Sequence, residues 1–327
     1  ADNISGGNGD DVLSGGADND SLTGGAGTDT FKVDVGTDTI TDLGGASGGE
    51  TDVLIVSAGA TANATNITSF TADSSTSNSG TANLTTKVGG GTIDIGNSTT
   101  GAYSLTGLSG NDTLKGNGNA DIINGGGGDD NIDGRGGNDE INGGAGDDII
   151  TVSSAGQGDG DTIDGGSGTD TLSLSSGSHA FATDAKLQNI NSITLASTST
   201  VIDLTGQTES LTITGGAQAD TITAGSGDDI INGAGGADII KGAGGIDTIS
   251  LGSSDSASDI IIFDASSGMD IIQQFTAGAT NGDILKYIGN LTDSESSANT
   301  SIGSDNTDNL LSADFVANAK NSSLDIT

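Results

Sequence analysis

The sequence contains no cysteine, proline or tryptophan, and basic side chains are scarce. Without cysteine the chain has no disulfides, no cysteine-based zinc sites and no thiol nucleophile. It has 8 Lys and Arg against 45 Asp and Glu, which gives a formal net charge of −37. Because phosphate groups are bound by clustered Lys and Arg, we expect neither nucleic acid nor an anionic membrane as a direct partner.

Long apolar stretches are also missing. No run approaches the roughly 18 apolar residues that a membrane-spanning helix needs, so we expect no membrane insertion. Ala1 opens the sequence without Met or a secretory signal, and we expect the chain to be part of a longer protein. Leu, Ile, Val and Phe make up only about a fifth of the residues, a composition typical of disordered chains.

The acidic residues are almost all aspartate. Only 4 of the 45 are Glu, whereas a merely solvated surface would accept either side chain. The Asp residues recur every nine positions, as the rows Gly6–Ser14, Gly15–Thr23 and Gly24–Lys32 show. Each row begins with glycines, has Asp at position six and has an apolar residue at position eight. This fixed spacing indicates a site with defined geometry close to the backbone.

The same nine-residue frame returns at 107–151, 156–173 and 215–250. A fourth, degenerate row around Asp38 and the tail of a row at Asp2 also keep the register. The position-six residues are Asp2, Asp11, Asp20, Asp29, Asp38, Asp112, Asp121, Asp130, Asp139, Asp148, Asp161, Asp170, Asp220, Asp229, Asp238 and Asp247. We predict that these 16 side chains are metal ligands.

This pattern, Gly-Gly-x-Gly-x-Asp-x-apolar-x, resembles the calcium-binding nonapeptide of the repeats-in-toxin (RTX) family. The resemblance implies an all-β fold, a right-handed parallel β-helix or β-roll solenoid with calcium in its glycine-rich turns. It also implies a protein that is exported by a type I secretion system and folded by calcium outside the cell.

The residue chemistry of one row agrees with that resemblance. Positions seven to nine place one inward apolar residue between two outward ones, which makes a strand of about three residues. Positions one to six make the turn, where glycine permits positive φ angles. Two rows form one coil of 18 residues, so Asp residues stack at about 4.8 Å, the spacing of neighbouring strands. Stacked carboxylates repel unless a cation lies between them, and calcium takes six to eight oxygen ligands.

The register predicts which aspartates share an ion. Four extra residues at 152–155 must loop out between Asp148 and Asp161 to keep the stacks aligned. The predicted pairs are 2/20, 11/29, 20/38, 112/130, 121/139, 130/148, 139/161, 148/170, 220/238 and 229/247, or about ten calcium ions. Two alternatives remain: a metal-free solenoid whose Asp side chains form Asx-turns, and halophilic acidity, which explains neither the nine-residue phase nor the lack of Glu.

The repeats divide the chain into six segments of what we expect to be one continuous solenoid. Tyr103 and Leu211 stand where the frame calls for Asp, which predicts metal-free coils held by apolar contact. The segments are an RTX block at 1–50, metal-free coils with a Thr/Ser-rich excursion at 51–106, a second RTX block at 107–173, metal-free coils at 174–214, a third RTX block at 215–250 and a β-rich capping segment at 251–327.

Catalysis finds no support in the sequence. His179 is the only histidine, and no serine-hydrolase or zinc-protease motif surrounds it. We therefore expect it to be an exposed loop residue and the chain not to be an enzyme. No Gly-Lys-Ser or Gly-Lys-Thr follows the glycine-rich runs, so they do not predict a phosphate loop.

These features lead us to expect a structural protein of the bacterial cell surface, a calcium-dependent S-layer subunit that assembles into a two-dimensional lattice. Its expected partners are further copies of itself and, through a region outside this chain, lipopolysaccharide or another surface glycan. One alternative is the stalk of a secreted RTX adhesin or surface fibril. Another is the C-terminal type I export module of an exoenzyme or toxin.

Overall fold

The computed structural model describes residues 1–45, 50–153, 160–181, 183–252, 257–263, 267–268, 270–275, 282–287 and 310–312. The chain is an all-β parallel β-solenoid of about 12 turns, as the sequence predicts. It divides into two compact units. Unit 1 comprises Ala1–Leu172 with Gln188–Ile190, and unit 2 comprises Ser173–Leu187 with Asn191–Thr327.

The strands are short, and most span three or four residues. In chain order they are β1 (Asn3–Asn8), β2 (Val12–Ser14), β3 (Ser21–Ala26), β4 (Thr30–Val33), β5 (Thr37–Ile40), β6 (Val53–Val56), β7 (Thr61–Ile67), β8 (Ser69–Thr71), β9 (Ser77–Asn78), β10 (Thr81–Thr86), β11 (Thr92–Asp94), β12 (Ser104–Thr106), β13 (Thr113–Lys115), β14 (Ile122–Gly127), β15 (Asn131–Asp133), β16 (Glu140–Ala145), β17 (Ile149–Val152), β18 (Thr162–Ser167), β19 (Thr171–Leu174), β20 (Gly177–Ala180), β21 (Leu187–Gln188), β22 (Ser192–Leu195), β23 (Thr200–Asp203), β24 (Thr212–Thr214), β25 (Thr221–Thr223), β26 (Ile230–Asn232), β27 (Ile239–Lys241), β28 (Thr248–Ser250), β29 (Ile260–Phe263), β30 (Ile271–Gln273), β31 (Ile284–Tyr287) and β32 (Leu310–Ser312).

Strands of successive coils lie side by side in parallel sheets. Unit 1 contains the sheets β1-β3-β5-β7-β10-β12-β14-β16-β18, β2-β4-β6-β9 and β8-β11-β13-β15-β17. Unit 2 contains β20-β23-β25-β27-β29-β31 and β22-β24-β26-β28-β30-β32, in which β32 is antiparallel to β30. A 3-10 helix spans Asp184–Lys186, and no helix in the described part of the chain is long and apolar enough to cross a membrane.

The core is narrow because each row contributes one large apolar side chain at position eight. Leu114, Ile132 and Ile150 of unit 1 pair in register along one sheet and are fully buried. Ile222, Ile240 and Ile261 form the same column in unit 2. The period-two alternation of strand side chains therefore fixes which face of every strand is inside.

The Thr/Ser-rich excursion predicted within 51–106 is not an excursion. Residues 57–86 contain β7, β8, β9 and β10, which pair with their neighbouring coils. Ala62 and Ala82 are buried at inward positions and lie in register after Asp38. The segment is weakly apolar, but a solenoid core this narrow accepts alanine as an inward side chain.

His179 is not the exposed loop residue that the sequence predicts. It lies in β20 with 1% of its surface exposed. Its Nε2 is 2.9 Å from the carbonyl oxygen of Ser175. His179 pairs with Ile202 of the next coil and so occupies an inward position of the strand. The prediction failed because a lone polar residue gives no periodic signal of burial.

Candidate metal centre

The position-six aspartates lie one residue before their strands begin, except Asp38, which is the second residue of β5. The side chain points inward because it is two residues before the inward apolar residue, on the same face. Of the 16 predicted ligands, 14 are buried; the exceptions are Asp2 and Asp11, in the first coil. Asp38, Asp148, Asp170, Asp238 and Asp247 have no exposed surface.

The aspartates of successive coils are joined by hydrogen bonds. The backbone N–H of Asp112 donates to Oδ1 of Asp130 at 2.7 Å, and that of Asp130 donates to Oδ1 of Asp148 at 2.8 Å. The same bond links every pair that the register predicts: 2/20, 11/29, 20/38, 112/130, 121/139, 130/148, 139/161, 148/170, 220/238 and 229/247. The predicted stacking is confirmed, including across the four-residue insertion; the sharing of ions within the pairs stays a prediction.

The second carboxylate oxygen, Oδ2, has no hydrogen-bond donor in many of these aspartates. In seven of these residues Oδ2 is buried and accepts no hydrogen bond: Asp11, Asp20, Asp38, Asp130, Asp139, Asp148 and Asp247. A buried carboxylate oxygen without a donor is costly, because the desolvation of the charge is not repaid. A cation bound to these oxygens would repay it.

Glycine at position one makes room for this oxygen. A Cβ on Gly125 would overlap Oδ2 of Asp130, and a Cβ on Gly143 would overlap Oδ2 of Asp148. The turn therefore forms a cradle that only glycine leaves open, at the point where the carboxylate lacks a partner.

Two of the predicted ligands are satisfied by the backbone instead. Oδ2 of Asp121 accepts a hydrogen bond from the N–H of Asn117 at 2.8 Å, and Oδ2 of Asp220 accepts one from Gly216 at 2.7 Å. Asp121 follows the coil in which Tyr103 takes the Asp position, since the N–H of Tyr103 donates to its Oδ1. The N–H of Thr200 donates in the same way to Oδ1 of Asp220. Each of the two is thus the first aspartate of its stack, and both of its oxygens accept a backbone N–H.

Burial and mutual repulsion make these carboxylates hard to ionise. Burial raises the pKa of Asp139 and Asp247 to about 7 and that of Asp121, Asp130 and Asp229 to about 6. The negative charges of neighbouring stack members contribute to the raised pKa of Asp130 and Asp139. A positive ion at the stack would reverse both effects.

The donor set fits calcium. All the available ligand atoms are oxygens, which hard cations prefer. No group of three or more His, Cys, Asp or Glu side chains that could hold a metal is found within the described ranges. An ion here would therefore bind at most two carboxylates and would complete its six to eight ligands with turn carbonyls and water.

A second ladder runs along the outside of the turns at position five. The N–H of Asp147 donates to Oδ1 of Asp129 at 3.0 Å, and the N–H of Thr169 donates to Oδ1 of Asp147 at 2.8 Å. Asn111 begins this ladder by accepting from Asp129. These exposed side chains accept backbone N–H groups of the next coil and lie apart from the buried position-six carboxylates.

The stacks extend beyond the residues that the sequence analysis selected. Asp52, Asp259, Asp270 and Asp283 each accept at Oδ1 from the aspartate of the preceding coil. The nine-residue frame does not select them, because they follow the aspartate of the preceding coil by 23, 21, 23 and 24 residues instead of 18. The sequence did contain a signal, since each is followed two residues later by Leu or Ile.

A family comparison agrees with this geometry. The model of the RTX calcium-binding nonapeptide repeat matches residues 5–40, 104–132, 125–154, 155–178 and 212–253. No curated protein matches the chain. The matched segments contain 15 of the 16 predicted aspartates, all except Asp2. The matched segments, somewhat under half of the chain, are therefore RTX repeats, a type of repeat that binds calcium.

Proposed function

We propose that this chain is a structural protein of the bacterial cell surface, a calcium-dependent S-layer subunit that assembles with copies of itself into a two-dimensional lattice. RTX repeats are typical of secreted extracellular proteins that bind calcium. We further propose that the chain is exported by a type I secretion system and catalyses no reaction.

One surface of unit 1 supports the proposed assembly of copies into a lattice. The outward residues of its nine-stranded sheet form a continuous row, which we call the polar row. Its members are Asn3, Ser21, Thr39, Asn63, Asn83, Ser104, Ile122, Glu140 and Thr162. Seven of the nine are short polar side chains, and Asn83 donates to Asn63 along the row at 2.8 Å. Short side chains repeated at about 4.8 Å make an even surface, which favours side-by-side packing of copies.

This surface would form only when calcium binds and the chain folds. Isolated aspartate stacks are expected to bind calcium in the roughly 10⁻⁴–10⁻³ M range of extracellular modules. The chain would then remain unfolded at cytosolic calcium, pass through the exporter and fold outside the cell, because metal binding supplies folding free energy.

The proposal is tested by imaging cell surfaces and purified protein by electron microscopy, with calcium and with excess chelator. We expect ordered sheets in calcium that disappear with chelator. Thr39→Lys adds a long charged side chain to the polar row and should abolish the sheets without changing calcium binding. Thr71→Lys, on an exposed outward position of a different sheet of unit 1, is the matched control and should leave the sheets intact.

Other outcomes of this experiment would favour one of the alternative functions. Separate fibrils in calcium would favour the adhesin stalk. Calcium-loaded monomers at every concentration would favour the export module. Sheets that persist after complete calcium removal would contradict the calcium-dependent part of the proposal.

A further inference from the structure

The outward face of one sheet of unit 2 is rich in large aliphatic side chains. Its strands β23, β25, β27, β29 and β31 pair in parallel, so the residues just before the inward apolar position form a row along the sheet. We call this the apolar row, and its members are Val201, Thr221, Ile239, Ile260 and Ile284. Val201 is 43% exposed and Ile284 is 44% exposed, and the members between them are half-buried. Four of the five are thus large aliphatic residues on a solvent-facing surface, spaced about 4.8 Å from coil to coil.

The other sheet of unit 2 provides a comparison. At the equivalent outward positions its strands carry Ser192, Thr212, Ile230, Thr248 and Ile271. Short polar side chains separate the two isoleucines there, whereas Ile239, Ile260 and Ile284 of the apolar row are consecutive. Single exposed apolar residues are normal on a protein surface, but a contiguous group of them is typical of a surface that binds another molecule.

A second outward row of the same sheet carries charges of opposite sign at its two ends. Asp203 of β23 and Lys286 of β31 lie two residues after members of the apolar row, and both are exposed. Four strand spacings separate them, roughly 19 Å, which is beyond the screening length of about 8 Å in physiological salt. The acidic end and the basic end therefore cannot form an ion pair with each other within one chain.

A second copy of the same face supplies the complement of the apolar row. When two copies pack face to face about a two-fold axis that runs along the strands, the coils of one copy run opposite to those of the other. Val201 then faces Ile284 of the second copy. Thr221 faces Ile260, and Ile239 lies at the axis opposite its own equivalent. The most exposed ends of the row therefore cover each other.

The same arrangement pairs the charges. Asp203 of each copy faces Lys286 of the other, so two equivalent ion pairs form and fix the antiparallel register. Lys241 comes close to its equivalent at the axis, where its long stem lets the ammonium group reach solvent at the rim. The face is thus complementary to itself in apolar contact and in charge.

We propose that this face of unit 2 binds the same face of a second copy, antiparallel, through the apolar row and the pairing of Asp203 with Lys286. The inference deepens the proposed function and rests on it for its cellular role. A single two-fold contact closes at a dimer, so a two-dimensional lattice needs a second contact besides the polar row. Five short strands cover only roughly 24 Å by 10 Å, far below the roughly 800 Å² per partner of a stable interface. The contact is therefore weak alone and is reinforced by the other contacts of a lattice.

Introduced cysteines test the contact, because the chain has none of its own. Val201→Cys and Ile284→Cys, mixed in saturating calcium, should be cross-linked to a dimer by a short bismaleimide that spans the distance of about 10 Å between packed sheets. Each variant alone should give at least tenfold less dimer. Thr212→Cys mixed with Ile284→Cys is the matched control from the other sheet and should give the same low yield. Equal yields in all mixtures would overturn the proposal.

Charge reversal tests the register in the same cysteine variants. Adding Asp203→Lys to both should lower the dimer yield about tenfold, because two lysines then face each other at each end. Adding Lys286→Asp as well restores opposite charges at the wild-type net charge and should restore the dimer. Absence of this rescue in protein that is folded by circular dichroism would overturn the antiparallel arrangement.

Two further measurements separate this inference from the proposed function. Sheets in electron micrographs without a cross-linked dimer overturn the inference alone, whereas dimers in a protein that forms no sheets overturn the lattice and support the contact. Thiol labelling of dilute Val201→Cys should be as fast as that of Thr212→Cys. Labelling at least tenfold slower would show that another part of the chain covers the face, which also overturns the inference.

Discussion

At the scale of single residues, the two oxygens of each aspartate have different partners. Oδ1 accepts a backbone N–H of the preceding coil and needs no metal, as in the bond between Asp112 and Asp130. Oδ2 of Asp130 is buried without a donor. Glutamate could not replace aspartate here without displacing one of these atoms, because its carboxylate lies one methylene further from the backbone. This explains why the chain is rich in Asp and poor in Glu.

Asp130→Asn tests the two oxygens separately. The amide oxygen can still accept from Asp112, but the charge and one metal-binding oxygen are lost. In saturating calcium we expect the free energy of unfolding to fall by about 2 kcal/mol, the size of one charge-assisted interaction. In excess chelator the same change should stabilise any folded protein, because it removes a buried charge. Urea unfolding under both conditions measures the effect.

Asp2→Ala is the comparison for that variant. Asp2 is exposed in the first coil and belongs to one stacked pair, whereas Asp130 belongs to two. We expect a much smaller loss of stability in calcium for Asp2→Ala. Equal losses for the two variants would contradict the role given to the buried oxygen.

A second residue-scale prediction concerns strain in the turns. Ala243 has a φ of 68°, in the left-handed region that glycine adopts without cost. Ala243→Gly should raise the free energy of unfolding by about 0.5–1 kcal/mol, since relief of the backbone strain exceeds the added entropy of glycine in the unfolded chain. Ala62→Gly, in the interior of β7, should lower it, and thermal unfolding distinguishes the signs.

At the scale of elements, coils are joined by contacts other than the aspartate stacks. Arg135 reaches across two coils: its Nη1 is 2.8 Å from Oδ1 of Asp94, and its Nη2 donates to Oδ2 at 3.1 Å. Nη1 also donates to the carbonyl oxygen of Gly116. The only arginine of the chain thus connects a coil outside the repeats with two coils of the second block.

Arg135→Ala should lower the free energy of unfolding by about 1 kcal/mol, because the pair is partly exposed and solvent screens it. The loss should be similar with calcium and with chelator, since the pair does not involve the stacks. A double-mutant cycle with Asp94→Ala isolates the pair energy. A coupling energy of zero would show that packing of the arginine stem, not the ion pair, is responsible.

At the scale of the whole molecule, we expect charge to control the formation of the solenoid. The formal net charge is −37, and much of it is stacked inside the turns. Ten bound calcium ions would add 20 positive charges, so the assembly would carry about −17. Without calcium, the buried carboxylates must either stay charged at high cost or take up protons.

The metal-free protein should therefore be more stable in mild acid than at neutral pH. Burial raises the pKa of Asp130 and Asp229 to about 6 and that of Asp139 and Asp247 to about 7, whereas aspartate in an unfolded chain has a pKa of about 3.9. The folded state then binds more protons than the unfolded state between about pH 4 and pH 7, and stability falls as the pH rises through this range.

Circular dichroism in excess chelator measures this effect. At pH 7.5 we expect a largely disordered chain that gains β-structure on calcium titration, and at pH 5 we expect more β-structure without calcium. A fully folded spectrum at pH 7.5 in excess chelator would refute the prediction.

The solenoid, the inward residue of each row and the ten stacked pairs follow from the sequence alone, because a strict nine-residue repeat fixes the register through local spacing. Prediction was weaker wherever this period breaks, as at Asp52, which follows Asp29 by 23 residues, and the burial of His179 and Ala62 has no periodic pattern in the sequence. These features depend on how a longer connection folds back on itself and on the neighbouring coils, as when the N–H of Gly44, eight residues before Asp52, donates to its Oδ2.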